Sequence, residues 1–120
     1  MKKKKARMKN DSKKAKARYL QNLVRDRIVK LYPKLGPEDI RCSMMSENGA
    51  DVKMLSLTSR KLFGYSVECK RREEYKQIYS AYKQATRHTK LEPLLVIKRN
   101  REIPLAIISL EHFFKLQEDE

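Results

Sequence analysis

One apolar stripe near the N-terminus constrains the fold of this chain more than any other feature. Its members recur at spacings of three, one, four and three residues, the period of a helix with one buried face: Leu20, Leu23, Val24, Ile28 and Leu31. We predict a helix from a cap at Ser12 to about Tyr32, because Pro33, Gly36 and Pro37 then end it.

The middle of the chain predicts a hairpin. Residues 38–46 are ambiguous, with a short strand from Ile40 to Met45 as one interpretation. The Asn48-Gly49 turn precedes the strand-like run DVKMLSL, and FGYSVECKR gives a second strand after the polar, basic loop TSRKLFG.

The rest of the chain predicts a helix, a second hairpin and a closing helix. Residues 72–88 form a helix with one apolar face: Tyr75, Ile78, Tyr79, Tyr82 and Ala85. After Pro93, LLVIKR is typical of a fully buried strand. A turn at residues 100–102 joins it to the strand IPLAIISL, and LEHFFKL is a short helix. The sequence therefore predicts an α/β sandwich with a small mixed sheet flanked by helices.

The net charge of +14 predicts a polyanionic partner, most often nucleic acid and less often an anionic membrane surface. Residues 1–18 hold ten Lys and Arg against one acid, Asp11. Residues 1–11 have almost nothing to bury, so we expect a disordered basic tail that orders on an anion, with a solubilising tail as the alternative. Residues 12–120 are then expected to form a single domain.

Cysteine content and hydropathy predict a soluble cytoplasmic protein with no membrane partner. Cys42 and Cys69 are too few for a disulfide framework or a Cys-rich zinc site, so we expect reduced thiols. No apolar run approaches the roughly 18–20 residues of a membrane span. The N-terminal lysines are not followed by the apolar segment of a secretory signal.

Residues 49–71 hold the side chains that point to chemistry. In a strand, Glu68 and Lys70 leave the same face, while Cys69 points the other way. Asp51 lies on the preceding strand of the same hairpin, within reach across about 4.8 Å. Two carboxylates beside an ammonium group suit a Mg²⁺ site that cuts phosphodiesters. The alternative is a plain Glu–Lys pair on a solvated sheet face.

The order of these motifs resembles the PD-(D/E)xK nuclease superfamily, and most closely its small phage and archaeal Holliday-junction-resolvase-like endonucleases. The resemblance rests on Gly49-Ala50-Asp51, Glu68-Cys69-Lys70, Gln84-Ala85 and the run from Pro93 to Ile97, and covers about residues 15–116. It implies a restriction-endonuclease-like core in the order α-β-β-β-α-β, here with an added C-terminal helix, so that residues 12–120 form a nuclease-like domain.

The resemblance also implies roles for individual residues. Asp51 and Glu68 match the metal-binding carboxylates, Lys70 matches the catalytic lysine, and the backbone carbonyl of Cys69 is a further ligand for Mg²⁺, or for Mn²⁺ as a substitute. Many members place a glutamate on the first helix, where this chain has no acid and Gln21 is the closest match. With Gln21 as the candidate ligand there, the resemblance leaves two alternatives, one metal or two, and the weaker coordination of Mg²⁺ by a neutral amide favours a single tightly bound metal. Gln84 either orients a water or phosphate or is a solvated helix residue.

Several basic and aromatic residues are candidates for contacts with nucleic acid. The basic candidates lie in the tail, beside the site and at the second hairpin turn: Lys2, Lys3, Lys4, Lys5, Arg60, Lys61, Arg71, Arg72, Lys98, Arg99 and Arg101. Tyr65, Tyr75, Tyr79 and Tyr82 are able to stack on bases, but the last three fall on an apolar helix face, which favours core packing.

The functional expectation is a Mg²⁺-dependent DNA endonuclease acting on branched duplexes such as Holliday junctions, or a site-specific or homing-type nuclease. The resemblance implies a homodimer, for which residues 107–116 are one candidate surface. The alternative is a non-catalytic basic nucleic-acid-binding protein on an inactive nuclease-like scaffold. A third interpretation is an RNA-binding protein, since charge does not distinguish RNA from DNA.

Overall fold

The computed structural model describes residues 2–44, 47–88 and 90–119, with side chains from residue 12 onward except that of His88. The described residues form four α-helices, a 3₁₀ turn and four short strands. In chain order these are α1 (Lys2–Leu31), β1 (Ile40–Cys42), β2 (Val52–Met54), α2 (Leu57–Leu62), the 3₁₀ turn Glu73–Tyr75, α3 (Lys76–His88), β3 (Leu95–Ile97), β4 (Leu105–Ile107) and α4 (Leu110–Glu118). The chain divides into two compact units, Met1–Arg71 and Arg72–Glu120.

Helix α1 begins ten residues earlier than the sequence predicts. It starts at Lys2 and includes Ser12 in its interior, so the predicted start at Ser12 is wrong, and the segment predicted to be a disordered tail is helical. The physical reason is that Lys, Arg, Ala and Met are good helix formers and that neither Gly nor Pro occurs before Pro33. Every residue from 12 to 19 is exposed, whereas Val24 and Ile28 are buried.

The core of the first unit lies where α1 and α2 contact the sheet of β1 and β2. The two strands are antiparallel, with Ile40 opposite Met54 and Cys42 opposite Val52. The predicted second strand over residues 63–71 is reduced to an antiparallel bridge between Val67 and Val52. The buried apolar residues of this unit lie in α1, β1 and β2 and in the segments that follow α1 and α2: Val24, Ile28, Leu35, Ile40, Val52 and Phe63.

Helix α2 replaces the predicted loop TSRKLFG. Its N-cap is Ser56, whose Oγ accepts a hydrogen bond from the Ser59 N–H at 3.0 Å, while the Ser59 Oγ accepts one from the Ser56 N–H at 3.2 Å. This reciprocal capping box satisfies backbone donors that a short helix otherwise leaves open. The loop prediction is wrong because the box uses Ser at the position where Glu or Gln is the usual signal.

The second unit contains α3, the hairpin of β3 and β4, and α4. The strands are antiparallel, with Leu95 opposite Ile107, and the predicted turn is present with Arg101 in the left-handed region at φ 65°. Val96 is 60% exposed, so the prediction of a fully buried strand is wrong. A two-stranded sheet has few neighbours to cover its faces. Helix α4 is capped by Ser109 and buries Phe114.

The mixed α/β content is confirmed, but the predicted single mixed sheet is wrong for the described residues. The strands form two separate two-stranded sheets, both antiparallel. Each pairing joins neighbours in the chain, which closes short loops and needs no crossover of the kind that parallel strands require. None of the described helices combines the length and the apolar character that crossing a bilayer demands.

Candidate functional site

The backbone of Asp51 is held between two neighbouring segments. Its N–H donates to the Val67 carbonyl at 2.8 Å, and its carbonyl accepts from the Ser43 N–H at 2.8 Å. Asp51 directly precedes β2, so these bonds extend the sheet on both sides of the strand. The position of Asp51 relative to residues 67–69 is therefore fixed by backbone pairing and does not depend on a flexible loop.

The Asp51 carboxylate lies against the peptide that joins Glu68 and Cys69. Its Oδ2 accepts a hydrogen bond from the Cys69 N–H at 2.7 Å, and the Asp51 residue is half-buried. A short bond of this kind to an ionised acceptor is among the stronger hydrogen bonds in proteins. It ties the first predicted site residue to the segment that carries the other two.

Glu68 and Lys70 project together into solvent. The Lys70 Nζ lies 3.1 Å from the Glu68 Oε1, and the side chains of Lys70 and Glu68 are 52% and 58% exposed. The neighbours Val67 and Cys69 are half-buried. This alternation agrees with the prediction that Glu68 and Lys70 share one face. The contact between Glu68 and Lys70 is a surface ion pair, so it contributes at most about 1 kcal/mol to stability.

The oxygen donors in this region are of the type that Mg²⁺ binds. Asp51 and Glu68 are carboxylates, and the Cys69 carbonyl adds a third oxygen from the same short segment. Asp51 is already hydrogen-bonded through Oδ2, and Glu68 is paired with Lys70. Among residues 2–44, 47–88 and 90–119, no three His, Cys, Asp or Glu residues group in a way that would hold a metal ion.

The two cysteines are protonated thiols at neutral pH. Burial, reinforced by the negative charge of Asp51, raises the pKa of Cys69 to about 11. Burial also raises the pKa of Cys42, whose Sγ lies 3.5 Å from the Asn22 Oδ1 as a hydrogen-bond donor. A thiol with a raised pKa is a poor nucleophile and a poor metal ligand. The side chain of Cys69 is thus a packing group, and only its backbone is relevant to the candidate site.

The remaining predicted site residues fall in both units. Gln21 is half-buried on α1 in the first unit, which also holds Asp51, Glu68 and Lys70. Gln84 is exposed on α3 in the second unit.

The predicted nucleic-acid contacts are exposed wherever their side chains are described. In the first unit and at the boundary these are Arg60, Lys61, Arg71 and Arg72, and in the second unit Lys98, Arg99 and Arg101. Lys2, Lys3, Lys4 and Lys5 belong to α1, and their side chains lie outside the described ones.

Positive charge is concentrated in one unit. The first unit contains 20 Lys and Arg against 7 Asp and Glu, and the second contains 9 against 8. The net charges are therefore +13 and +1. The unit that carries Asp51, Glu68 and Lys70 therefore also carries nearly all of the net positive charge.

An ion pair that the sequence did not predict holds the loop before Asp51. The Arg41 Nη1 and Nη2 donate to the two carboxylate oxygens of Glu47 at 2.9 and 2.7 Å, and Glu47 also accepts from the Met44 N–H at 2.8 Å. The bonds from Arg41 and Met44 lower the pKa of Glu47 to about 2. The only sequence signal is an opposite charge six residues away, which is too common to identify such a pair.

Comparison of the chain with protein-family models, with curated proteins and with solved structures finds no match. The function must therefore be argued from the residues and their geometry.

Proposed function

We propose that this protein is a Mg²⁺-dependent DNA endonuclease whose site consists of Asp51, Glu68 and Lys70. The observation that supports the proposal is the hydrogen bond from the Cys69 N–H to the Asp51 carboxylate. It holds one carboxylate against the backbone of a Glu-x-Lys segment whose two charged side chains project together. The resemblance to PD-(D/E)xK nucleases gives these three residues their roles.

Each residue has a distinct task in this proposal. Asp51 and Glu68, with the Cys69 carbonyl, would hold the cation. When bound, Mg²⁺ supplies a water of lowered pKa and neutralises charge on the scissile phosphate. The Lys70 ammonium donates a hydrogen bond to the nucleophilic water or to the charge that develops on the phosphate oxygens. Glu68 keeps Lys70 beside the site through their 3.1 Å contact.

The proposed substrate is DNA, bound mainly by the first unit. Its net charge of +13 supports binding to a phosphate backbone. The resemblance supports branched or otherwise structured duplexes, or a specific site, and a homodimer with residues 107–116 as one candidate surface. The two free thiols support action in the cytoplasm.

A second candidate function is non-catalytic binding of nucleic acid. The observation that favours it is that both carboxylates already have partners, Asp51 on the Cys69 N–H and Glu68 on Lys70. On this alternative the contacts stabilise the hairpin, and the charge of the first unit alone accounts for function.

Cleavage of defined substrates tests the proposal. Wild-type protein, Asp51→Asn and the control Asp26→Asn are incubated with a four-way junction, linear duplex, single-stranded DNA and RNA, in Mg²⁺, Mn²⁺ or EDTA. Asp26 is an exposed acid of the same unit that pairs with Arg25. We expect metal-dependent cutting of DNA by the wild type and the control, and binding without cutting by Asp51→Asn. Binding without cutting by the wild type on every substrate would establish the second candidate instead.

A further inference from the structure

A cleft of about 400 Å³ opens in the first unit. It is lined by Ala50, Val52 and Met54, by Arg60 and by residues 63–66. Pockets for small ligands have volumes of roughly 300–1,000 Å³, so the cleft is large enough for a planar ring. Asp51 is adjacent in sequence to two lining residues, Ala50 and Val52, but does not itself line the cleft.

The aromatic ring of Tyr65 lines the cleft, and a buried neighbour holds it in place. Tyr65 is 46% exposed, while its neighbour Phe63 is 1% exposed and belongs to the core. Their ring centroids are 5.0 Å apart at an interplanar angle of 55°. An aromatic pair of this kind orients the outer ring. Tyr65 therefore offers ring surface to the solvent from a position set by a buried residue.

The positively charged side chain of Arg60 also lines this cleft. The Arg60 Nε donates to the Met54 carbonyl at 3.1 Å, which fixes the guanidinium to the end of β2. Helix α2, which carries Arg60 and the exposed Lys61, is anchored by the capping box of Ser56 and Ser59. The cleft thus combines an apolar aromatic wall with a held positive charge in a unit of net charge +13.

We propose that this cleft receives an unstacked nucleobase of the bound nucleic acid, stacked on Tyr65, with the adjoining phosphate on Arg60. In a nucleotide the base lies next to a phosphate, and in the cleft the Tyr65 ring lies with the Arg60 guanidinium. Aromatic side chains stack on any of the bases, so this kind of contact does not require a particular base. The inference rests on the proposed function for the identity of the ligand as nucleic acid. It specifies that function further, because substrates with unpaired nucleotides are then preferred.

Binding without cleavage tests the inference. The probe is 2-aminopurine placed at a single-nucleotide bulge in a DNA duplex, compared with a fully paired duplex of the same length, in EDTA. The variants are Tyr65→Leu, which removes the ring, Tyr65→Phe, which keeps it, and Arg60→Gln. Tyr79→Leu is the control, since Tyr79 is an exposed tyrosine of the second unit.

We expect the wild type, Tyr65→Phe and Tyr79→Leu to prefer the bulged probe and to quench its fluorescence. Tyr65→Leu should lose about tenfold in affinity for the bulged probe, within the range measured for base–aromatic stacking, and should change little on the paired duplex. Arg60→Gln should weaken binding while keeping the quenching. Equal preference by wild type and Tyr65→Leu, or an equal loss in Tyr79→Leu, would overturn the inference.

The test of base binding in the cleft and the test of endonuclease activity can give different results. Metal-dependent cleavage together with an unchanged preference in Tyr65→Leu leaves the endonuclease and removes the base cleft. A preference that depends on Tyr65, in a protein that cuts nothing, removes the endonuclease and leaves the base cleft.

Discussion

The Asp51 carboxylate accepts a hydrogen bond from the backbone N–H of Cys69 at 2.7 Å, across two segments separated by 18 residues in the chain. This bond joins the residue that precedes β2 to the segment that carries Glu68 and Lys70. It gives Asp51 two separable tasks. One is to fasten residues 67–69 to the sheet, and the other, which belongs to the proposed function, is to present its second oxygen to a cation.

Substitutions at Asp51 should separate these tasks. Asp51→Asn keeps an oxygen able to accept from Cys69, so we expect near wild-type stability with cleavage reduced about 10²-fold or more, since a charged group at the reacting centre is lost. Asp51→Ala removes the acceptor and should also cost about 1–3 kcal/mol, because the Cys69 N–H loses its partner. Chemical denaturation and cleavage rates measure the two effects. Equal stability of the Asn and Ala variants would show that the hydrogen bond contributes nothing.

Lys70→Ala should impair activity and leave the fold intact. The Lys70 side chain is 52% exposed and its pair with Glu68 is a surface ion pair, so we expect a change in unfolding free energy below about 1 kcal/mol. Cleavage should fall steeply while DNA affinity changes by less than tenfold. Lys53→Ala, at another lysine of the same hairpin, is the control. A Lys70→Ala enzyme with the wild-type rate would exclude the assigned role.

The Arg41–Glu47 pair predicts a specific dependence of stability on pH. The pKa of Glu47 is lowered from 4.5 to about 2 in the folded protein by its hydrogen bonds with Arg41 and Met44. Because the folded pKa is below the unfolded one, the stabilisation is fully present above about pH 4.5 and is lost as the pH falls to about 2. Glu47→Gln should therefore lower Tm at pH 7.

The comparison across pH distinguishes this effect from general acid denaturation. The difference in Tm between wild type and Glu47→Gln should shrink from pH 4.5 downward and disappear near pH 2. Glu118→Gln, at an exposed acid of α4, is the control and should leave Tm unchanged at pH 7. A Tm difference that is constant between pH 7 and pH 2 would contradict the assignment.

The capping box of α2 should be required for its stability. Ser56→Ala removes the acceptor for the Ser59 N–H, and we expect a loss of about 0.5–2 kcal/mol. Ser56→Thr keeps the hydroxyl acceptor and should recover most of the lost stability. Thr58→Ala, at an exposed position of the same helix, should stay within about 0.5 kcal/mol. Denaturant midpoints measure the series, and an effect at Thr58 as large as that at Ser56 would refute the capping role.

The exposed basic stretch of α1 should contribute to the salt dependence of binding. Replacing Lys13, Lys14, Lys16 and Arg18 with Gln should reduce the slope of log K against log salt by up to about 3–4 if all four contact phosphates of duplex DNA. The matched control replaces four exposed cations of the second unit: Lys76, Lys83, Arg87 and Lys115. Fluorescence anisotropy across salt concentrations measures both. Equal slopes in the two quadruple variants would show that net charge alone matters.

Local patterns identified most of the elements. The apolar period from Leu20 to Leu31 predicted α1, and the Asn48-Gly49 turn preceded β2. The face of Tyr75, Ile78, Tyr79, Tyr82 and Ala85 predicted α3, but the prediction of core packing is wrong for Tyr79, which is 64% exposed. The prediction failed where the signal was weak. The Ser56–Ser59 box lacks an acidic residue, and residues 63–71 pair with β2 only through Val67 and its neighbours.

The candidate site was predictable in part. The i, i+2 spacing of Glu68 and Lys70 predicted that they lie together, and they do, although they follow the bridge at Val67 and lie outside the four strands. The bond between Asp51 and the Cys69 N–H was not predictable, because it depends on the register between two segments.

The sequence by itself determined the strong positive charge, most of the helical and extended segments and the alternation around Cys69, because these follow from composition and from periods of a few residues. Only the tertiary structure decided which residues meet outside those periods: Asp51 with Cys69, 18 residues apart, and Arg41 with Glu47 and Arg60 with Met54, each six residues apart. It also placed nearly all of the net charge in one of two units. The physical reason is that such contacts depend on how segments pack and pair in register, and no local pattern encodes that register.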